Sequence, residues 1–256
     1  MDLEIVETVL MLDLEDLPEF QSRIGTERDQ AGAFSRNVCE CFRQIGTARY
    51  LLYSDVDAFR QNLSESAKLR KKLVDRFLAG EPIPPSTVSD LTYKYLLDAL
   101  AAGDFEGAKQ IAEVTEKRHD DSWTEGTNIV IQCEGSEDFA ECFTYALKAF
   151  VLDRRGDMQH WTGRLEVSLR HPKMKTLAGY GQVLRGILDE DEQTANRGIQ
   201  AVLEGHQKES KGSGLFAGTA EELICIWGIG ISNLALHRGI RIDSSPPLIP
   251  GELLLR

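Results

Sequence analysis

The chain has 256 residues, of which 42% are hydrophobic and 27% are charged, a composition typical of globular proteins and too apolar for a disordered one. Its net charge of −12 disfavours nucleic acid or an anionic membrane as the main partner, because both select basic surfaces. The longest apolar run, Leu223–Ile231, is far shorter than the ~20 residues that cross a bilayer. The start of the sequence lacks the basic segment of a secretion signal, and the five cysteines are an odd number. We therefore expect a cytoplasmic protein with reduced thiols.

The N-terminal third predicts long helices. From Phe34 to Tyr53 the apolar residues recur at helical spacing. Ser54 and Asp57 form a possible capping box, which would start a second helix that continues to Phe77. The run at 79–85 contains three prolines, and we expect it to end that helix and to form a stiff connector at 81–86. Ser86 or Ser89 would then cap the next helix.

The remainder predicts shorter helices separated by turns. Gly103-Asp104 marks one turn, and Phe139–Val151 shows an unbroken helical apolar stripe that we expect to stop at Gly156-Asp157. Helical runs follow at Leu177–Leu188 and Ala195–Leu203. A second capping-box candidate, Thr219 with Glu222, would open the last helix, and Gly239 suits the left-handed position after it. Two segments resist a helical interpretation: Asn128–Cys133, which could be extended or helical, and the strand-like Ile240–Ile242.

Three segments, starting at Leu96, Leu147 and Leu184, repeat the order of apolar helix, turn and second helix. Their spacing is too uneven for a tetratricopeptide repeat. We therefore predict an all-α fold of irregular stacked helical hairpins, with about 60–75% helix and little or no β-structure. Because the long N-terminal helices (1–80) need cover from the C-terminal hairpin part (87–256), we expect a single domain over 1–256.

No residue pattern in the sequence predicts catalysis. Gly228-Ile229-Gly230 lies inside an apolar helix and not after a strand, so it is not expected to bind a dinucleotide. His119-Asp120-Asp121 resembles part of a metal-phosphohydrolase site, but His160 and His171 do not have a converging spacing. His206 and His237 are expected to interact with helix C-termini. The thiols of Cys39-x-Cys41 diverge on a helix and cannot share a metal. We predict that the chain is not an enzyme and has no catalytic, cofactor or metal site.

Acidic clusters are the best candidates for a partner-binding surface. The first twenty residues hold seven Asp or Glu and no Lys or Arg, and two further clusters lie at 120–125 and 189–192. Such runs usually coat a solvated surface, but they can also attract a basic partner. Trp123 is a possible aromatic anchor, whereas Trp161 and Trp227 fit helical core faces. The predicted partner-binding residues are Asp120, Asp121, Trp123, Glu125, Asp189, Glu190, Asp191 and Glu192.

Three segments of the chain carry a resemblance to a known family. They are Ala48–Leu52 on the long N-terminal helix, Leu97–Asp104 before its hairpin, and the C-terminal stretch in which a Trp-containing helix is followed by Asn233-Leu234-Ala235, Arg238-Gly239-Ile240, Ile249-Pro250 and Leu253-Leu254. In this order and spacing the chain resembles the bacterial immunity protein 49 family.

The resemblance implies a cytosolic antidote that binds a cognate protein toxin tightly, often over the toxin's active site. An acidic antidote suits a basic toxin, as nuclease-type toxins commonly are. The alternative is a helical-repeat scaffold or regulatory protein that binds an endogenous protein partner. Neither interpretation involves nucleic acid, a membrane or a cofactor.

Overall fold

The fold is all-α, as the sequence predicts. The computed structural model describes residues 2–29, 31–89, 93–117, 139–243 and 245–256, and about three quarters of these are helical when 3-10 turns are counted. The helices of the described part are α1 (Leu3–Arg23), α2 (Ala33–Tyr53), α3 (Val56–Leu78), α4 (Tyr93–Ala102), α5 (Phe105–Val114), α6 (Phe139–Val151), α7 (Arg155–Ser168), α8 (Ala178–Leu188), α9 (Glu192–Glu209) and α10 (Ile226–His237).

Consecutive helices pair as antiparallel hairpins, α4–α5, α6–α7 and α8–α9, in the positions that the weak internal repeat predicts. Each hairpin turns at a residue with positive φ: Gly103, Asp153 or Glu190. In all three turns this residue donates its N–H to the carbonyl three positions back, and the next residue donates to the carbonyl five positions back. These two hydrogen bonds satisfy carbonyl groups in the last turn of the first helix. The three turns therefore share one backbone geometry although their sequences differ.

Several predicted helix boundaries are wrong by a few residues. Gly156-Asp157 does not end α6, because Asp153 takes the left-handed position and α7 has already begun at Arg155. Ser54 is itself left-handed, and Asp55 caps α3 by accepting from the N–H of Ala58 at 2.9 Å. Thr219 does not open the last helix, since its hydroxyl donates to the carbonyl of Phe216.

The last helix therefore begins later than predicted, at Ile226, after a 3-10 turn at Ala220–Glu222. Gly239 is left-handed as expected. Ile240–Ile242 forms no strand, and the β-pairing in the described part is an isolated bridge between Ser245 and Ile249. Asn128–Cys133 lies outside the described residues.

The connector at 81–86 is anchored to the helices beside it. Ile83 and Val88 are buried and pack with Leu73 and Val74 of α3 in a small apolar cluster. Ser86 lies in a 3-10 turn, Pro85–Val88, and does not cap a helix; α4 is described from Tyr93 onward, and residues 90–92 before it lie outside the described part. The main core includes residues from both sides of this connector, among them Phe59 and Trp227. A single cooperative unfolding transition remains our prediction for the chain.

The hairpin α8–α9 is packed through glycines. Gly186 of α8 faces Ala195 of α9, and Gly198 of α9 faces Val183 of α8. A Cβ added at Gly186 would lie 2.7 Å from Ala195 Cα, and one at Gly198 would lie 2.6 Å from the Val183 nitrogen. Favourable contacts between carbon atoms lie at about 3.5–4.0 Å. The two helix backbones thus approach each other as closely as glycine permits.

We predict that Gly186→Ala destabilises the protein although alanine favours helices. The added methyl group must push α8 and α9 apart, at a cost of about 1–3 kcal/mol in the free energy of unfolding measured by urea denaturation. The matched control is Gly163→Ala in α7, where a Cβ would meet nothing within 4 Å. That variant should gain up to about 1 kcal/mol. Equal effects of the two substitutions would contradict the packing described here.

The C-terminal segment after α10 crosses the ends of the hairpins. Arg238 donates to the Asp153 carboxylate at 2.6 Å and to the carbonyl of Phe150, at the α6–α7 turn. The backbone of Arg241 is bonded to Asn196 and Glu192, at the start of α9. Near the end of the chain, the carboxylate of Glu252 accepts from the hydroxyl of Tyr50 at 2.6 Å. One short segment therefore joins α2, α6 and α9.

Asn233 fixes this segment to the core. Its fully buried side chain donates to the carbonyls of Leu100, Ala101 and Leu253, and its Oδ1 accepts from the N–H of Leu255 at 2.9 Å. The amide thus satisfies carbonyls at the C-terminus of α4 and holds the chain end beside them. Replacement by an apolar residue would leave these groups buried without a hydrogen bond.

We predict that Asn233→Leu lowers the free energy of unfolding by about 2–4 kcal/mol, because each buried group that loses its partner costs roughly 1–3 kcal/mol. Urea denaturation followed by circular dichroism measures the loss. Ser232→Ala is the matched control, since the neighbouring Ser232 is equally buried and its hydroxyl has no hydrogen-bond partner among the described residues. A variant Asn233→Leu as stable as that control would disprove the role assigned to the amide.

Candidate functional site

Helix α1 carries the most unusual exposed surface of the described chain. It packs on α2 and fully buries only Val6 and Leu10. Val9, Leu17 and Phe20 are half-buried, whereas five apolar residues of α1 are exposed: Leu3, Ile5, Met11, Leu12 and Leu14. Met11 is the most exposed of them, at 63%. Glu7 and Glu15 lie one helical turn before and after Met11, on the same face, and both are exposed. The outer face of α1 is thus an apolar side chain between two carboxylates.

A cavity of about 220 Å³ opens beside α1. Val6 and Val9 of α1 form one wall, and a polar face of α2 forms the second. The 3-10 turn and the residues before it, 218–221, close the third side. The α2 residues that line the cavity follow one helix face at spacings of three and four: Glu40, Arg43, Gln44 and Thr47.

The base of this cavity is a buried ion network. Arg43 contacts Glu221 through both terminal nitrogens at 3.2 Å, and its Nε lies 3.1 Å from the carboxylate of Asp98. Asp98 is fully buried on α4 and also accepts from the hydroxyl of Ser66 on α3 at 3.3 Å. One guanidinium therefore faces two carboxylates, and the network joins α2, α3, α4 and the Ala220–Glu222 turn.

Burial determines the ionisation of this network. Desolvation raises the pKa of Asp98 to about 7, although the guanidinium of Arg43 opposes the shift. Burial likewise raises the pKa of Glu221. Burial alone would lower the pKa of Arg43, but Asp98 and Glu221 raise it above its ordinary value. Arg43 thus stays charged, and near neutral pH Asp98 is the group that takes up or releases a proton.

The buried carboxyl of Asp98 predicts a specific dependence of stability on pH. Its pKa is higher in the folded than in the unfolded chain, so between about pH 4 and 7 the folded state holds more protons. The contribution of Asp98 to stability is therefore present at low pH and is lost as the pH rises toward 7. In Asp98→Asn this contribution is absent. We expect the difference in unfolding free energy, wild type minus variant, to fall by on the order of 2–4 kcal/mol across this range.

Urea denaturation of both proteins at several pH values measures this difference. Asp104→Asn provides a control at an aspartate outside the ion network, on the α4–α5 turn. Parallel curves for wild type and Asp98→Asn would show that Asp98 does not titrate in this range.

Of the acidic residues predicted to bind a partner, those at 189–192 form the α8–α9 turn and are exposed. Two of them have structural contacts. Asp191 caps α9 by accepting from the N–H of Thr194 at 3.1 Å, and Glu192 accepts from the N–H of Arg241 at 3.3 Å. Asp189 lies 3.8 Å from Arg185, and Glu190 holds the left-handed position. The other predicted residues, Asp120, Asp121, Trp123 and Glu125, lie outside the described residues, as does His119.

The described thiols and the buried histidine are core residues. Cys39, Cys41, Cys142 and Cys225 are buried, and no disulfide joins any two of them. Desolvation raises the pKa of Cys41 and of Cys225 to about 12, which disfavours a thiolate. His206 lies in the last turn of α9, at the helix end where the sequence places it, but its side chain is buried. Its Nε2 lies 2.7 Å from the carbonyl of Glu221, and burial lowers its pKa.

The two tryptophans in the described part differ from each other. Trp227 is a core residue as predicted, whereas Trp161 is half-buried and stacks on Tyr145 at 4.7 Å between ring centroids. Gly228-Ile229-Gly230 is buried in α10, and a Cβ at Gly230 would lie 2.6 Å from the carbonyl oxygen of Leu97. This motif therefore serves the close approach of α10 to α4.

Sequence reasoning missed the network of Arg43, Asp98 and Glu221. One signal for it was present, because Asp98 lies within the otherwise apolar run Tyr95–Ala102 of a helix, where a carboxylate requires a buried partner. Within the described ranges, no group of three or more His, Cys, Asp or Glu is arranged to hold a metal ion. None of the helices in those ranges has the length and apolar character needed to cross a membrane.

Comparison with known proteins gives no relative: neither the models of known protein families, nor curated proteins, nor solved structures match this chain.

Proposed function

We propose that the chain is a cytoplasmic immunity protein that binds a basic protein toxin and covers its active site. The outer face of α1 carries this proposal, together with the resemblance of Ala48–Leu52, Leu97–Asp104 and the C-terminal stretch to the bacterial immunity protein 49 family. On this face Met11 is 63% exposed between Glu7 and Glu15. An apolar side chain between like charges suits a partner with an apolar depression in a basic surface.

The charge distribution supports a basic partner. The first twenty residues contribute seven carboxylates and no basic residue, and the whole chain carries a net charge of −12. Carboxylates at the rim of an interface accelerate encounter with a positively charged protein, and a central apolar anchor slows dissociation. Both features occur together on α1.

The state of the described thiols and of His206 supports binding rather than catalysis. A thiol nucleophile needs a lowered pKa and a neighbouring base, whereas the described thiols are buried, and burial raises the pKa of Cys39, Cys41 and Cys225. His206 is buried in the core. We therefore propose that the protein acts through its surface.

The stack of three hairpins supports a second candidate, a scaffold that binds an endogenous partner, since stacked hairpins commonly provide extended binding surfaces. A growth assay distinguishes the two proposals. The chain is first used to capture its partner from an extract of the source strain, and the captured protein is then expressed alone in a bacterial host. An immunity role predicts growth arrest that co-expression of the chain relieves, and a captured partner that leaves growth unchanged would favour the scaffold.

The binding surface is tested with paired variants. Glu7→Gln with Glu15→Gln removes two carboxylates beside Met11, and we expect about tenfold slower association with the captured partner at low salt, an effect that shrinks at high salt. Met11→Ala should instead raise the dissociation rate. Surface plasmon resonance measures both rates.

The matched control, Asp189→Asn with Glu190→Gln, removes the same charge at the α8–α9 turn and leaves the structural contacts of Asp191 and Glu192 intact. It also tests the surface that the sequence predicts. Slower association in this control, with no change in the α1 variants, would move the binding surface to the turn. Circular dichroism confirms that each variant is folded.

A further inference from the structure

The cavity between α1, α2 and residues 218–221 offers hydrogen-bond acceptors and almost no free side-chain donors. The hydroxyl of Thr47 donates to the carbonyl of Arg43 at 2.7 Å, and that of Thr219 donates to Phe216 at 2.7 Å. Each hydroxyl oxygen is left with lone pairs only. The guanidinium of Arg43 is directed to Glu221 and Asp98. The amide of Gln44 is the remaining side-chain donor of the described lining, and it can equally accept.

Glu40 adds a carboxylate that has no partner. It is half-buried at the edge of the cavity, and among the described residues it makes neither an ion pair nor a hydrogen bond. With Glu40 and Glu221 against Arg43, the lining has an excess of one negative charge. A ligand that completes these contacts must therefore bring donors and a positive charge.

The third feature is an apolar wall. Val6 and Val9 lie along one side of the cavity, opposite the polar face of α2. The cavity volume of about 220 Å³ is below the ~300–1,000 Å³ typical of pockets for drug-sized ligands. An alkyl chain that ends in a cation fits this combination, because its methylene groups can pack on valines while its charged end reaches acceptors.

The polarity of the surface reverses on the other side of Glu40. There Glu40 also lines a separate depression of about 400 Å³, together with Tyr95 and three cationic side chains, Arg36, Arg70 and Lys94. The cations outnumber the carboxylate, so the lining of this depression has a net positive charge. A cation is disfavoured in that depression and favoured in the cavity beside α1. The reversal thus directs a basic side chain to one side of Glu40.

We infer that this cavity receives a lysine or arginine side chain of the basic toxin, an inference that rests on the proposed function and assigns one contact within it. The aliphatic stem packs on Val6 and Val9. The charged end is bound by Glu40 and by the hydroxyl oxygens of Thr47 and Thr219. Because α1 forms one wall, the occupied cavity and the outer face of α1 belong to one continuous binding surface.

The experiment uses the free protein and a side-chain mimic, so it does not depend on the toxin. The n-butylguanidinium ion is titrated into the isotope-labelled chain, and amide shifts are followed by nuclear magnetic resonance; neutral n-butylurea is the matched control ligand. We expect saturable shifts at residues that line the cavity, with n-butylurea producing far smaller ones. Glu40→Gln should weaken binding by about fivefold or more, since it removes a charge-assisted hydrogen bond. Glu204→Gln, which removes an exposed carboxylate on α9, should leave it unchanged.

Equal binding of n-butylurea, shifts outside the cavity, or unchanged binding by Glu40→Gln would each overturn the inference. Such a result leaves the proposed function untouched if the chain still captures a toxic partner. Conversely, n-butylguanidinium could bind in the cavity while the captured partner proves harmless. That result would contradict the proposed function and support only the cation site.

Discussion

The buried amide of Asn233 is the contact on which the arrangement of the hairpins depends. Each of the three helical hairpins can form through interactions between residues close in sequence, but such interactions do not determine how one hairpin packs against the next. Asn233 lies on α10, reaches the C-terminus of α4, and binds the chain end through Leu253 and Leu255. The same C-terminal segment bonds to the α6–α7 turn and to the start of α9. A single buried side chain therefore couples local hairpins to a segment that spans them, and an apolar residue of equal size would supply the packing without the connection.

The network of Arg43, Asp98 and Glu221 has a different character, because it is expensive to bury. Two carboxyl groups share one guanidinium inside the protein, and burial raises the pKa of both carboxyl groups. Such buried clusters are often less stabilising than apolar residues of similar volume. Its position offers a reason for it. The network lies at the base of the cavity beside α1, where it occupies the guanidinium of Arg43 and leaves a lining rich in acceptors. Apolar residues at these positions would make the core more stable, but the cavity would then lose its polar base.

The sequence predicts most of the helices because their apolar stripes are local. The apolar stripe Phe139–Val151 is a helix, although it ends before the predicted stop at Gly156-Asp157, and the three hairpins are where the internal repeat places them. The errors in the helix boundaries arise where a residue adopts a hydrogen bond or a backbone conformation other than the one that its residue type favours. Thr219 has the residue type of a cap, but its hydroxyl donates to Phe216, and Asp153 takes a conformation for which glycine would be expected. The cavity could not be predicted, since its walls come from residues far apart in the chain. Asp98 alone gave a sign of it, as a carboxylate inside the otherwise apolar run Tyr95–Ala102.

The two acidic surfaces of the described chain differ in how freely they can serve a partner. At the α8–α9 turn, Asp191 caps a helix and Glu192 holds Arg241, so a partner that bound these carboxylates would compete with the fold. On α1, Glu7 and Glu15 have no such duty among the described residues. The helix itself packs on α2, with only Val6 and Leu10 fully buried, so its outer face is constrained little by the core. A surface that contributes little to folding can keep exposed apolar residues and like charges at small cost to stability. For this reason residues of α1 and of the cavity that it borders can bind a partner with less loss of stability than residues of the α8–α9 turn.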